Sequence, residues 1–351
     1  MKKIRTQNPP MFKSKAAWQS GKHCFFGLLF LFILTFILCS CSNNSGDNAK
    51  KIKISEATRS VFYCPQYAAA SLCYFKEEGL DVEIVTCEGS DKAMTCVLSG
   101  QSDVGLMGSE MVVYVYNEGR ENFPIIFSEL TKKDGSFLVG RQNGFNWSDL
   151  KGKSIIAGRK GGLPEMTLEY VLKKRGFKPN IDVKLLNNIK FDLMGPAFLS
   201  GTGDYVMLFE PLASSFENDE NCSVLQNLGD NCDEITYTCY CTSQVYLKKN
   251  KESIEKFARA ICRAQNWVYS HSPEEITAVV SSFFANTDKQ LLQKSIRRCQ
   301  SVGVWAQNPV VRQEAFELMQ QIAMEAGELK SKVSFDKVVD NQFALLAKKA
   351  S

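Results

Sequence analysis

The chain has 351 residues, 44% hydrophobic and 23% charged, a globular composition that excludes a disordered, collagen-like or many-span membrane protein. Its formal charge of +4 is misleading, because residues 1–41 hold six basic side chains (Lys2, Lys3, Arg5, Lys13, Lys15, Lys22) and no acidic one. The remainder has 36 basic against 38 acidic groups, so it lacks the positive field that holds a phosphate backbone, and nucleic-acid binding is set aside.

Cys24 to Cys39 is an apolar run broken only by Gly27 and Thr35. It is shorter than the roughly 20 residues a spanning helix needs and reads as the core of a signal peptide. Leu38, Cys39, Ser40 and Cys41 then match the attachment pattern of a bacterial lipoprotein, with a leucine three places before the acylated cysteine and small residues between. Residues 42–50 begin Ser42-Asn43-Asn44-Ser45-Gly46-Asp47-Asn48 and suit a flexible tether. The expectation is a signal peptide over 1–41, a lipid on Cys41 and a domain outside the cytoplasmic membrane. An uncleaved anchor helix is the alternative.

Ten cysteines remain beyond Cys41. Cys64, Cys73, Cys87 and Cys96 fall in expected helices and strands among apolar neighbours, where a thiol packs as a small hydrophobe. Cys222 with Cys232, or a partner of Cys239 or Cys241, is loop-like enough to pair. One histidine, His271, remains, with no C-x-x-C spacing, so zinc sites and histidine-based triads lack their parts.

From residue 51 the chain alternates strand-like and helix-like runs, the pattern of α/β layers on largely parallel sheets. In the first stretch the pattern predicts a helix over 63–78, a strand over 80–86, a helix over 91–99 and a strand over 103–107. The alternation then repeats. Lys51 to Arg59 aligns with Lys151 to Arg159 at an offset of 100, and Asp81-Val82 with Asp182-Val183 at 101. Leu98-Ser99-Gly100-Gln101-Ser102-Asp103 aligns with Leu199-Ser200-Gly201-Thr202-Gly203-Asp204, again at 101. Second-stretch strands are expected at 153–157, 182–186 and 204–209, with a helix opened by Pro164 and closed by Gly176. Two βαβαβ lobes follow. From 251 the periodicity is helical only: Ile254, Phe257, Ala258, Ile261, Ala264 and Val268 share one face, as do Ala315, Leu318, Met319, Ile322, Ala323 and Ala326. Such a tail is expected to pack on the first lobe, with crossings at 136–141 and 240–246. That gives lobe 1 as 51–138 plus 245–351 and lobe 2 as 139–244.

Ligands of open parallel sheets bind at the carboxyl ends of the strands. The loops there nominate Arg59, Phe62 and Tyr63, Ser109 and Glu110, and Asp134 in the first lobe. In the second they nominate Arg159, Gly161, Gly162 and Glu165, Asn188, and Glu210. Gly161-Gly162 ahead of Pro164 fits an anion nest or, equally, a tight turn. Glu110 and Glu210 come from equivalent turns and are expected to face each other, either accepting hydrogen bonds from an amine or compensating helix dipoles. Phe62 and Tyr63 either stack on a flat ligand or join the core. Without a nucleophile beside a base, capture of a small solute by a hinged cleft fits better than catalysis.

Phe75-Lys-Glu-Glu-Gly-Leu-Asp-Val82, Leu98-Ser-Gly-Gln-Ser-Asp-Val104, the stretch from Gly158-Arg-Lys-Gly-Gly to Val171, and Gly203-Asp-Tyr-Val-Met-Leu-Phe-Glu-Pro211 carry a family resemblance. With them the chain resembles the solute-binding lipoproteins of ABC importers in the nitrate/sulfonate/taurine and thiamine-pyrimidine-precursor group. The resemblance implies a two-lobed periplasmic-binding-protein type II α/β fold with a helical carboxyl-terminal segment. It also implies no cofactor, and a monomer that serves an ABC permease with a cytoplasmic ATPase. The nest with Arg59 or Arg159 favours a sulfonate, taurine or nitrate-type oxyanion, whereas Phe62, Tyr63, Glu110 and Glu210 favour a pyrimidine-like heterocycle. Carboxylates beside an oxyanion are costly in a desolvated cleft, which favours the heterocycle. A pyrimidine-synthase-like enzyme on the same scaffold and a ligand-sensing lipoprotein are the rivals from other classes. Cys239-Tyr-Cys241 only partly echoes the cysteine-rich segment of those synthases.

Overall fold

β1 (Lys50–Glu56) shows how the strands arise: Ile52 and Ile54 alternate with lysines and bury themselves, and the last three residues are fully enclosed. The computed structural model describes residues 49–218 and 221–350, and residues 48–351 form one compact unit. The signal peptide, Cys41 and most of the tether expected from the sequence lie outside the described residues. No helix among the described residues is long and apolar enough to cross a membrane.

Two five-stranded sheets repeat one topology. The first is ordered β2-β1-β3-β10-β4, from β2 (Leu80–Thr86), β3 (Val104–Gly108), β4 (Pro124–Thr131) and β10 (Thr238–Ser243). The second is ordered β7-β6-β8-β5-β9, from β5 (Ser136–Gly140), β6 (Ser154–Ile156), β7 (Lys184–Leu186), β8 (Tyr205–Phe209) and β9 (Ser223–Asn227). In each sheet three sequential strands pair in parallel and the fourth in order runs antiparallel to both its neighbours. The molecule is an α/β protein with the periplasmic-binding-protein fold.

The repeat has a physical cause. Asp103 accepts a hydrogen bond from the Lys53 amide at 2.8 Å, and Asp204 accepts one from the Ser154 amide, also at 2.8 Å. Each aspartate, just ahead of the third strand of its unit, ties that strand's start to the first.

Three expectations need correction. The strands around 136–141 and 240–246 do not span the lobes: β5 lies wholly in the second sheet and β10 wholly in the first. A strand placed inside a sheet satisfies its backbone on both edges, so the chain crosses just ahead, at 132–135 and 228–237. Residues 136–138 therefore pair in the second sheet and 238–243 in the first, the reverse of the expected division. The helix expected over 63–78 is broken: Cys73 is left-handed (φ 62°) between Cys64–Ser71 and Tyr74–Glu77. Arg259 and Arg263 of the tail hold Glu78 and Glu77 at 2.8 and 2.6 Å just beyond the break. Finally, the tail serves both halves. Its long helix Lys251–Ser270 packs on Cys64–Ser71 and on the last helix, Gln342–Ala350, but Gln313–Glu325 packs on Leu163–Lys174, and Lys289–Val302 meets Leu212–Ser215.

Candidate functional site

The loops that leave the carboxyl ends of β1, β2, β3, β6, β7 and β8 converge on a cavity of about 420 Å³ between the two sheets, closed on one side by Tyr237 and Thr238 at the start of β10. Six of the twelve candidates line it: Phe62, Tyr63, Glu110, Arg159, Gly162 and Asn188. The cavity is aromatic on one side. Phe62 packs against Tyr237 edge-on at 5.4 Å and against Phe209 at 5.4 Å, and Phe191 extends the cluster from Phe209 at 5.8 Å. Gly135 is needed behind Phe62, because a Cβ there would lie 2.4 Å from the ring.

Glu110 is the one acidic candidate that faces this space. It opens the helix Glu110–Asn117, is 2% exposed, and its Oε2 has no hydrogen-bond partner. Burial pushes its carboxyl up to about 7, against the opposing pull of its own amide, Arg159 and the Leu163 amide. The carboxyl folds back over the end of β3, where only a glycine leaves room: a Cβ on Gly108 would sit 2.1 Å from Oε2.

Arg159 reaches across the cleft. Its Nη1 lies 3.0 Å from Oδ2 of Asp91 in the first half, both side chains being about half exposed. The Gly161-Gly162 turn is not an open nest. The Gly161 amide donates to Glu165 Oε2 (3.2 Å), the Gly162 amide to the Arg159 carbonyl (3.1 Å), and the Leu163 amide to Glu110. The glycines serve the turn instead: Gly161 is left-handed (φ 77°), and its carbonyl accepts from Tyr114 of the other half at 2.9 Å.

Of the other candidates, Glu165, Ser109 and Asp134 are buried supports, and Arg59 is partly exposed outside this cavity. Glu165 is buried, and besides Gly161 it accepts from Asn187 Nδ2 at 3.0 Å, so it fixes the β7 loop that lines the cavity. Ser109 donates to the Thr236 carbonyl at 2.5 Å. Asp134 accepts from the Ser136 amide and hydroxyl and from Thr167, joining a crossing segment to the helix Leu163–Lys174. Arg59 is paired with Glu56 at 2.7 Å and lies over Tyr67 and Phe283, facing a smaller cavity of about 190 Å³.

Glu210 does not face Glu110 as an open acceptor. It borders the smaller cavity, and its oxygens are filled by the Ser214 amide (3.0 Å) and hydroxyl (2.7 Å), Ser295 (3.1 Å) and Arg298 (3.0 Å). Sequence reasoning missed the 88–92 loop (Glu88 to Lys92), the aromatics Phe191, Phe209 and Tyr237, and Thr58. The turn Glu88-Gly89-Ser90-Asp91 after a parallel strand was a readable signal; the aromatic grouping was not.

His271 lies apart from the cavity, its Nδ1 2.7 Å from the Trp267 carbonyl at the end of the tail's long helix and its ring stacked on Trp267.

The chain is 41% identical over 89% of its length to YtlA of Bacillus subtilis (strain 168), provisionally named a binding protein, and covers 93% of that relative. It is 25% identical over 68% of its length to a 4-amino-5-hydroxymethyl-2-methylpyrimidine phosphate synthase of Candida albicans (strain WO-1), covering 72% of it. Its fold superposes on a ligand-binding component of an ABC-type import system from Staphylococcus aureus, with a TM-score of 0.70 at 13% identity over 86% of this chain and 99% of that one. Residues 62–276 match the family described as NMT1/THI5 like, and the chain belongs to that family.

Proposed function

We propose that this protein is the extracytoplasmic, lipid-anchored ligand-capture component of an ABC importer, and that its cleft takes a flat, nitrogen-rich heterocycle of the aminopyrimidine type. The observation that carries the heterocycle is Glu110, a buried carboxyl with one unpartnered oxygen beside an aromatic cluster. A ring nitrogen next to an exocyclic amine offers an acceptor and a donor side by side, and a protonated carboxyl offers the reverse pair. A carboxyl pushed up to about 7 carries that proton at little cost near neutrality. The turn amides that would cradle an oxyanion are engaged within the protein, which weighs against sulfonate or nitrate.

The name of the Bacillus subtilis relative supports binding over turnover, and the superposed import component supports the two-lobed capture architecture. Cys41 would carry the lipid, a permease with a cytoplasmic ATPase would receive the ligand, and the protein would act as a monomer without a cofactor.

The test is calorimetric titration of residues 48–351 with 4-amino-2-methylpyrimidine, taurine and nitrate. Only the pyrimidine is expected to bind, with affinity falling up to tenfold per unit as pH rises above about 7. Glu110→Gln, which keeps a donor and an acceptor, should retain binding but lose that pH dependence, and Glu110→Met should abolish it. Saturable binding of taurine or nitrate alone would refute the heterocycle, and steady conversion of the pyrimidine would refute a pure binder.

A further inference from the structure

Cys87 follows directly after β2 and Cys96 lies on the helix Ser90–Ser99, and the fold brings their sulfurs to 3.9 Å. Among the described residues, the cysteines that reach solvent in part are Cys73, Cys87 and Cys96, the others being buried. Nothing in the spacing announced this pair, because one sulfur leaves a strand end and the other a helix face. The eight residues between them include Glu88 to Lys92, every one of which lines the cleft, and among these Asp91 holds Arg159 across it at 3.0 Å. That connection also has the least ordinary backbone of the region, with Glu88 left-handed (φ 56°) followed by Gly89 (φ 144°).

We propose that Cys87 and Cys96 are a reversible thiol–disulfide modification site that ties down the 88–92 wall of the cleft. The sulfurs sit at van der Waals contact, 3.9 Å apart, and have to close to a bond of about 2 Å. The oxidant is a low-molecular-weight disulfide. The thiolate of one cysteine attacks it, releasing one small thiol and leaving a mixed disulfide. The second cysteine, deprotonated to solvent, then displaces the other half. Two protein S–H bonds are lost, one S–S bond forms, and the oxidant leaves as two thiols that take up the two protons. Burial, with the Cys96 sulfur beside it, pushes the Cys87 thiol up to about 11, so the exchange accelerates as pH rises. Closing this short loop restrains 88–92 and the Asp91 partner of Arg159, whatever ligand the cleft takes.

The test equilibrates residues 48–351, the compact unit, with oxidised and reduced glutathione and reads intact mass, peptide maps and amide hydrogen exchange. The expected result is a loss of about 2 Da, the two thiol hydrogens, with a linked peptide joining Cys87 to Cys96. Amides of 88–92 should exchange about tenfold more slowly after oxidation and recover on reduction. Cys96→Ser should instead carry one glutathione on Cys87, and Cys73→Ser should behave as the parent. Separate glutathione adducts on Cys87 and Cys96 in the parent, or a link through Cys73, would overturn the pairing. A linked peptide with unchanged exchange at 88–92 would overturn its action on the cleft.

Discussion

Glu110 sets a measurable pH dependence of stability in the empty protein. Its folded carboxyl stands at about 7 against an ordinary value of 4.5. Because the folded value is raised, below 4.5 the group is protonated in both states and costs nothing. Above about 7 the folded protein must hold a buried anion, and the penalty is complete. A shift of about 2.5 units corresponds to a penalty on the order of 3 kcal/mol, most of which develops between pH 5 and 8. Glu110→Gln removes the titration while keeping the shape. Its stability relative to the parent should therefore rise by roughly 2 kcal/mol from pH 5 to pH 8, even if the lost bonds from the Leu163 and Glu110 amides offset the gain at any single pH. For a unit of this size that is a relative shift of roughly 4 °C in Tm. Thermal melts of both proteins across pH 5 to 9 measure it, with the difference between them cancelling every other titrating group. A constant difference across that range would refute the claim that burial holds the Glu110 carboxyl above its ordinary value.

Arg298→Met strands the buried Glu210 carboxylate without its cation and should cost about 3–5 kcal/mol in urea unfolding, whereas the Glu210→Gln, Arg298→Met pair should recover much of that loss. Gly108→Ala drives a Cβ into the Glu110 carboxyl, so calorimetry should show ligand binding lost while stability in urea unfolding falls by only about 1–3 kcal/mol. Asp103→Ala and Asp204→Ala each remove the side-chain tie between the first and third strands of one half. Each should cost about 1 kcal/mol in urea unfolding, and the two losses should add because the ties lie in separate sheets.

Much of this architecture is legible from local pattern. Alternating apolar residues, turns rich in glycine and the offset of 101 between Asp103 and Asp204 identify two equivalent α/β units, because strand periodicity and the tie at each strand start are written within short stretches of chain. The reversed strands were harder. Ser136–Gly140 and Thr238–Ser243 look like strands in any context, and only their partners decide which sheet each completes.

The candidate site divides along the same line. Sequence alone placed Glu110 and Glu210 in equivalent turns, and by residue type they are identical. What separates them is Arg298, which arrives from a tail helix 88 residues beyond Glu210 and fills its carboxylate, while nothing comparable reaches Glu110 Oε2. In the same way the Gly161-Gly162 turn reads as an anion nest until Glu165 and the Arg159 carbonyl are seen to take its two glycine amides, and Glu110 the Leu163 amide that follows. Hydrophobic periodicity and turn chemistry act between neighbours and are therefore determined by the sequence. Whether a buried polar group is paired or open depends on partners that only the folded chain brings within hydrogen-bond distance, and that was decided by the tertiary structure.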